Sequence, residues 1–484
     1  MFIIKSAQKS LTILVLLFTF SLSYGQYNNS VICNAARDQV ETVIAVNPLN
    51  SSVYLAGWSD NRDNINDTRP WYAFSTDGGK NWNGTMLTIF GDEQVDNRGK
   101  GPTVAFNNHG TAFYCCKAVE AVSGIGPIYI SMSNNLGIEW VHKEVSINDY
   151  YQDKPYLAID NTGGTYDGRI YVSWTDLSDI SPISSRILFR YSSDDGSNFE
   201  DLKTLDAFDE TGGSPEYLTA SFGSPEIKTD YHYVQGSMPA VGPNGNIYVV
   251  WYKADQGGIT DNSQLRLRTS SNGGEAWTPS IDANNYLDPY IINIDAPFMA
   301  EGKLEIRPSP AIAVDPLNEN NIYIVYTEEV FINSISTTRI KWIRSTNKGE
   351  DWSESVTIGE VGGGADFFPA LTVEPSGRIS IEFLHSRYYP NQNDNLVDTY
   401  ITTSVNNGDS FLPPVRVSKK SYDAKLDGGI SFYYQGCSSV QGKIFPIWAD
   451  FRNEDPQMRP DVYFSPITMV DDVSPDTWSD NVYV

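Results

Sequence analysis

The chain has 484 residues, too many for one ordinary core of roughly 100–200 residues, so it forms either several domains or one large closed architecture. Its 60 Asp and Glu against 34 Lys and Arg give a formal net charge of −26, and a surface this acidic disfavours a nucleic-acid partner because it repels phosphate. With 19 % charged and 40 % hydrophobic residues, the chain has the composition neither of a disordered protein nor of a membrane-spanning bundle. The 13 % aromatic residues and the 38 glycines favour short strands and tight turns.

The first residues predict a secretory signal peptide. Lys5 and Lys9 precede an apolar run over residues 11–22, and small residues lead to a cleavage site near Gly25. The run is shorter than the ~20 residues that span a bilayer, and no later segment is long and apolar enough to do so. We therefore expect residues 1–25 to be removed and the protein to be exported, to the periplasm or the extracellular space.

Four cysteines follow the predicted signal peptide: Cys33, Cys115, Cys116 and Cys437. Export permits disulfides, and a Cys33–Cys437 bond would join the two ends of the chain. The sequence does not choose among the three possible pairings, and unpaired thiols are an equal alternative. The spacing matches no zinc site, and the acidic stretch from Asp60 to Asp67 does not match the order of calcium ligands in an EF-hand. We expect no metal and no cofactor.

A short pattern, Ser-x-(Asp/Asn)-x-Gly-x-x-(Trp/Phe), recurs six times. The Asp or Asn can hold a tight turn, the Gly can take a conformation that a side chain hinders, and the aromatic can anchor the turn in a core. Six copies, 58 to 78 residues apart, indicate a repeat architecture. The copies begin at Ser75, Ser133, Ser192, Ser270, Ser345 and Ser404.

Each copy follows a pair of strand-like segments, and there are seven such pairs. The pairs begin near Val43, Thr103, Tyr156, Ala240, Ala311, Ala370 and Ile430. Seven units of about four strands predict an all-β, seven-bladed propeller, with six blades and an added hairpin as the alternative. The seventh unit ends before its fourth strand, which residues 30–35 would supply. We expect one domain over residues 26–470 and an acidic tail over 471–484.

The six turns have the form of the Asp-box, and residues 35–470 resemble sialidase-like Asp-box β-propellers. The resemblance implies a propeller fold and a possible hydrolase. Sialidases of this type carry an arginine triad, a Tyr–Glu nucleophile pair and an Asp acid/base, with the first arginine in a Phe-Arg-Ile-Pro motif. That region here reads Gln39-Val-Glu-Thr-Val-Ile-Ala, and the nearest similar string, Ile306-Arg-Pro, lies in the fifth unit. The family's catalytic residues are therefore not transferred to this chain.

The face opposite the six turns, called the upper face below, carries an arginine on three consecutive units. Arg62, Arg387 and Arg452 each follow an aromatic residue by four positions. Together with Asp450 they are predicted to bind a carboxylate or sulfate, because the planar guanidinium binds such groups in a bidentate way. In the alternative, Asp60–Arg62 and Asp450–Arg452 are ion pairs that only fix their own loops.

The same face carries the candidate catalytic groups. We predict a glycoside hydrolase acting on an anionic glycan, with Asp60, Asp176 or Glu328 as acid or base and Tyr388 as nucleophile. In a polysaccharide lyase, the first alternative, His385 and Tyr388 would remove and donate protons. The second alternative is a non-catalytic propeller that binds a glycan or a protein on this face.

Overall fold

The computed structural model describes residues 29–33, 39–62, 68–89, 98–119, 126–146, 151–177, 185–206, 233–254, 264–278, 281–282, 285–286, 290–293, 309–359, 361–386, 396–423, 435–450 and 461–468. All regular elements in these ranges are β-strands, and none of these residues forms a helix long and apolar enough to cross a bilayer. The predicted signal peptide and the acidic tail lie outside the described residues, and both stay predictions.

Seven antiparallel sheets of at least four strands follow one another along the chain. Blade 1 consists of β2 (Gln39–Val46), β3 (Tyr54–Asp60), β4 (Arg69–Ser75) and β5 (Asn83–Met86). Blade 2 consists of β6 (Arg98–Phe106), β7 (Ala112–Val119), β8 (Ile128–Ser133) and β9 (Val141–Glu144). Blade 3 consists of β10 (Tyr151–Ile159), β11 (Ile170–Leu177), β12 (Ser185–Ser192) and β13 (Lys203–Asp206).

The later blades carry small additions to the same plan. Blade 4 has β14 (Tyr233–Val241), β15 (Ile247–Ala254), β16 (Gln264–Ser270) and β19 (Tyr290–Asn293), with a separate hairpin of β17 (Ile281–Asp282) and β18 (Asn285–Tyr286). Blade 5 has β20 (Ala311–Val314), β21 (Ile322–Ile332), β22 (Ile335–Ser345) and β23 (Val356–Ile358). Blade 6 has β24 (Ala365–Val373), β25 (Ile379–Ser386), β26 (Leu396–Ser404), β27 (Val415–Arg416) and β28 (Tyr422–Asp423).

Blade 7 closes the ring with both ends of the described chain. Its strands are β29 (Gly436–Val440), β30 (Lys443–Asp450), β31 (Asp461–Phe464) and, as the outermost strand, β1 (Ser30–Cys33); β32 (Ile467–Thr468) pairs with β30. Ser30 pairs with Phe464, and Val31 pairs with Tyr463. The predicted N-terminal closing strand is confirmed.

The first strands of the seven blades contact one another in a closed cycle, in which β29 meets β2. The seven-bladed prediction is confirmed, and the six-bladed alternative is wrong. The Cys33–Cys437 bond is also wrong, because Cys33 lies on the outermost strand of blade 7 and Cys437 on the innermost. Two strands separate them, at ~4.8 Å per strand. All four cysteines are free thiols.

The space between blades is filled by the second strands, which are buried on both faces of their sheets. Trp58, Trp174, Trp251 and Trp448 lie at equivalent positions near the upper ends of these strands, and all are at most 2 % exposed. Clusters of apolar side chains join each blade to a neighbour, for example Trp58 with Phe445 and Ile447 of blade 7. Burial on both faces explains the continuous apolar runs that marked these strands in the sequence.

Each of the six predicted turns forms the same set of hydrogen bonds. In blade 1 the Ser75 hydroxyl donates to Asp77 (2.9 Å) and accepts from the Gly79 amide (2.9 Å), while Asp77 accepts from the Asn81 amide (2.9 Å). Hydrogen bonds from the Asn81 backbone and side chain, and from Ser75 and Lys80, lower the pKa of Asp77 to about 2. The serine–glycine bond recurs in the other five copies at 2.8–3.0 Å.

We expect Gly408→Ala, in the blade 6 turn, to destabilise the protein by roughly 2–4 kcal/mol. Gly408 has φ +79°, and a Cβ there would overlap the buried Trp342 ring of blade 5. Gly163→Ala is the matched control, because Gly163 has φ +71° with no atom within 4 Å of the added Cβ. Urea unfolding should show the larger loss for Gly408→Ala; equal losses would contradict the packing argument.

A buried acid, Glu382 of β25, lies between blades 6 and 7. It is fully buried and neighbours Cys437 and the backbone amide of Ile447. Burial raises the pKa of this carboxyl well above its ordinary value. The native state therefore retains a proton that the unfolded chain releases near pH ~4.3, and stability falls as the pH rises above that value.

We expect Glu382→Gln to unfold at higher denaturant concentration than the wild type at neutral pH, with a gain of roughly 1–3 kcal/mol. The gain should vanish near pH ~4, where the wild-type carboxyl is protonated in both states. Denaturant unfolding from about pH 4 to pH 8 measures the difference. A gain independent of pH would show that Glu382 is not the titrating group.

Candidate functional site

The upper face is the end of the ring where the second strand of each blade stops and the third begins. The first strands enclose a channel with a cavity of about 170 Å³, lined by residues of all seven blades, among them Val43, Lys154 and Met238. Ligand pockets usually enclose ~300–1,000 Å³. The channel alone is therefore small for a ligand site, and a site must be built over its mouth.

Six residues with left-handed φ lie near the upper ends of the first strands: Glu41, Gly101, Lys154, Gly236 and Phe368 within their strands, and Ser309 two residues before β20. In the former five strands the pairing register shifts at this point, as between Val40 and Val43 in blade 1. A bulge of this kind bends the strand and redirects its side chains. The bulges thus determine which residues face the next blade at the mouth.

Five of the sequence-predicted residues occupy one equivalent position, at the upper end of the second strand. Each lies two residues after a buried aromatic residue of that strand, and the structure distributes them around the ring on blades 1, 3, 5, 6 and 7. All five are at most 9 % exposed. They are Asp60, Asp176, Glu328, His385 and Asp450.

Asp60 binds Arg62 within blade 1. The Arg62 side chain donates to both carboxylate oxygens (2.6 and 3.0 Å), its backbone amide donates to Oδ1 (2.8 Å), and the Trp58 indole donates to Oδ2 (2.9 Å). The guanidinium also stacks 3.3 Å from the centre of the Trp71 ring. This geometry matches the alternative in which Asp60 and Arg62 fix their own loop.

Asp176 of blade 3 lies in a comparable arrangement. Gln152 donates to one of its oxygens (2.6 Å) and the Arg186 side chain donates to the other (3.0 Å from Nε). The Trp174 indole donates to the Gln152 side chain. Both oxygens of this buried acid thus accept hydrogen bonds from side chains of its own blade.

The two other acids also have partners. The Trp448 indole donates to Asp450 (2.8 Å), and the Lys341 ammonium lies 3.3 Å from Glu328. In blade 4 the strand-end position holds Lys253 instead, and the Trp251 indole donates to Asp206 from the outer strand of blade 3 (2.7 Å). Asp206 was missed in the sequence, because only the packing of two blades brings it to Trp251.

His385 has a different environment from the acids. Its Nδ1 lies 2.7 Å from Asp366 of β24, and its ring contacts Tyr400 edge-on. Asp366 also lies 3.5 Å from the Arg339 guanidinium of blade 5. Because an ionised carboxylate only accepts hydrogen bonds, Nδ1 carries the proton in neutral His385 and Nε2 has the free lone pair. No sequence pattern marks Asp366 beyond its position at the start of a strand.

Three predicted site residues, Arg387, Tyr388 and Arg452, lie outside the described residues. Within the ranges that the structure describes, no three His, Cys, Asp or Glu side chains are grouped as metal ligands. The upper face therefore has a histidine–aspartate pair on blade 6. Blades 1, 3, 5 and 7 each contribute one acid that is hydrogen-bonded or ion-paired to a neighbouring side chain.

Fold and site together define a seven-bladed β-propeller with a charged upper face. No protein-family model matches the chain, and no curated protein matches its sequence. Among solved structures it is similar to the α-L-arabinofuranosidase Arb93A of Fusarium graminearum, with 12 % identity, TM-score 0.49, and coverage of 92 % of this chain and 98 % of that one. At this similarity the activity named belongs to the neighbour.

Two further solved structures are similar at the same level. One is a polysaccharide lyase of family PL25, an ulvan lyase bound to a glucuronate–sulfated rhamnose unit, with 11 % identity, TM-score 0.48, and coverage of 93 % and 95 %. The other is the endosialidase of phage phi92, with 11 % identity, TM-score 0.48, and coverage of 93 % of this chain and 71 % of that one.

Proposed function

We propose that the protein is an exported enzyme that cleaves an acidic polysaccharide at its upper face by β-elimination, with His385 as the general base. The Asp366–His385 pair carries the proposal. Asp366 orients the imidazole, and in the neutral tautomer with the proton on Nδ1 the lone pair that a proton-abstracting base needs is on Nε2. Among the predicted groups in the described ranges, His385 alone combines a free lone pair with an orienting carboxylate.

The proposed step balances as an elimination on a uronate. Nε2 of His385 removes the proton from the carbon next to the carboxylate, and the electron pair forms a carbon–carbon double bond. The bond to the glycosidic oxygen breaks, and that oxygen takes a proton from an acid, for which we propose Tyr388. A cation on the uronate carboxylate lowers the cost of removing the proton, and Arg387 and Arg452 are the candidates.

A glycoside hydrolase, the function predicted from the sequence, is the second candidate. It needs one carboxyl that is protonated and able to act as an acid. Asp60 and Asp176 are each held in an ion pair with a guanidinium of their own blade. Glu328 is the candidate that remains, because its partner in the described residues is an ammonium group 3.3 Å away and not a guanidinium.

The test is incubation of residues 26–484 with uronate-containing and sulfated polysaccharides and with sialosides. Elimination creates an unsaturated uronate that absorbs in the ultraviolet, whereas hydrolysis creates a new reducing end without that absorbance. Unsaturated product supports the proposal. Saturated product establishes the hydrolase instead, and binding without product establishes a recognition propeller.

A further inference from the structure

Two lysines lie side by side at the upper end of blade 2. Lys100 of β6 and Lys117 of β7 are direct cross-strand partners, so their side chains leave the same face of the sheet. Like charges placed opposite each other on a sheet are destabilising. Such a pair in a chain with a net charge of −26 calls for a specific reason.

Lys117 is only 1 % exposed, and its ammonium makes no hydrogen bond. It lies 3.2 Å from the centre of the Tyr151 ring at the start of blade 3, and Lys100 donates to the Tyr151 hydroxyl (3.3 Å). Lys100 and Tyr151 are partly exposed, so the cluster is open to the upper face through them. A buried charge without hydrogen bonds is costly unless a partner arrives.

The nearby carboxylates are committed to other donors. Asp153 accepts from the Gln235 amide of blade 4 (2.9 Å). Glu41 accepts from the Ser59 hydroxyl (2.6 Å) and from the Gly101 amide (2.9 Å). Neither carboxylate forms an ion pair with Lys100 or Lys117 in the described part of the chain, and both act on Lys100 only through the longer-range attraction that raises its pKa.

Equivalent positions in neighbouring blades show what the fold itself requires there. Ser59 in blade 1 and Thr175 in blade 3 match Lys117 in register, and each hydroxyl accepts from the amide of the next blade's bulge, at Gly101 (3.1 Å) and Gly236 (3.4 Å). An ammonium cannot accept a hydrogen bond. Lys117 thus has a cation where blades 1 and 3 have a hydrogen-bond acceptor. The cation does not take over the structural role of that acceptor.

We propose that Lys100, Lys117 and Tyr151 form an anion subsite on the upper face that binds one carboxylate or sulfate group of the glycan. This inference rests on the proposed function for the identity of the ligand. The incoming anion supplies a directly contacting counter-ion to both lysines, and the Tyr151 hydroxyl borders the same space. The subsite lies on blades 2 and 3, on the other side of the ring from His385 of blade 6.

The subsite should bind anions in a pH-dependent way. Burial, and next the charge of Lys100, lowers the pKa of Lys117 to about 7, while Asp153 opposes the shift. Lys100, Tyr151 and Asp153 are the charged or titratable groups around Lys117, and Glu41 acts on Lys100. An anion favours protonated Lys117, so binding above neutral pH takes up a proton, and affinity falls as the pH rises through the pKa.

Isothermal titration of residues 26–484 tests the subsite with sodium sulfate and with sodium glucuronate, each at constant ionic strength, and with glucose as the neutral control. We expect one site for sulfate, for glucuronate or for both, with affinity roughly tenfold or more weaker at about pH 8.5 than at about pH 6. The probe that binds identifies the anionic group. Titrations in buffers of different ionisation enthalpy should show proton uptake, a signal that a purely structural lysine does not give.

Lys117→Met should weaken the anion tenfold or more and abolish the proton uptake. Lys443→Met is the matched control, because it removes one exposed lysine at the opposite face and should bind like the wild type. If Lys117→Met does not fold, Lys100→Met and the wild-type proton uptake decide the question.

The subsite is overturned if the wild-type protein binds neither probe, or if Lys117→Met binds as the wild type does. Either result overturns it even where polysaccharide is cleaved. Binding through Lys117 without cleavage supports the subsite and contradicts the proposed elimination.

Discussion

Replacing His385 by glutamine is expected to lower the turnover of an acidic polysaccharide by roughly 10²–10⁴-fold, the usual contribution of a general base. Glutamine keeps a polar side chain beside Asp366 but has no lone pair of comparable basicity. The rate of formation of unsaturated product measures the change. The Michaelis constant should change little, because the proposed role concerns the reacting proton and not the binding of the chain.

Two further variants define the role of the histidine. His142→Gln is the matched control, because His142 lies on the outer strand of blade 2 with its Nδ1 on Ser131 (2.8 Å), away from the upper face. Asp366→Asn should also lower turnover, since an amide can donate to Nδ1 and favour the tautomer with a proton on Nε2. Its effect should fall on kcat, and the pH–rate profile should change shape. Normal turnover of His385→Gln would remove His385 from the mechanism.

Much of the fold could be predicted because its signals are local. The six turns are specified within eight residues each, and the buried second strands appear as apolar runs ending in an aromatic residue, as at Trp58. The closing strand was predictable by counting, since the seventh unit lacked its fourth strand. None of these inferences requires knowledge of contacts between blades.

The site could be predicted only in part, because its geometry depends on strand register within a blade and on packing between blades. The position of Asp60 and Asp176 was visible as an acid two residues after tryptophan. The partners were not visible: Asp366 reaches His385 from a preceding strand, and Lys117 faces Tyr151 of the next blade. Those contacts depend on the bulges and registers of the first strands, which leave no fixed spacing in the sequence.

Asp60→Ala is expected to lower the free energy of unfolding by roughly 2–4 kcal/mol. The substitution removes the acceptor of four hydrogen bonds, from the Trp58 indole and from the backbone and side chain of Arg62. Asp60 is fully buried, whereas the Arg62 side chain is 25 % exposed. Water can therefore solvate part of the released guanidinium, which keeps the loss below that of a wholly buried pair. Urea unfolding followed by tryptophan fluorescence measures the change.

The same variant separates a structural acid from a catalytic one. Asp60→Asn retains an acceptor oxygen for the Trp58 indole and removes the charge, so it should lose less stability than Asp60→Ala. If Asp60 only fixes the loop of blade 1, turnover of Asp60→Asn should stay within a few-fold of the wild type, since no group that moves a proton has changed. A variant with wild-type stability and turnover lowered by orders of magnitude would instead place Asp60 at the reacting bond, and would favour the hydrolase over the elimination.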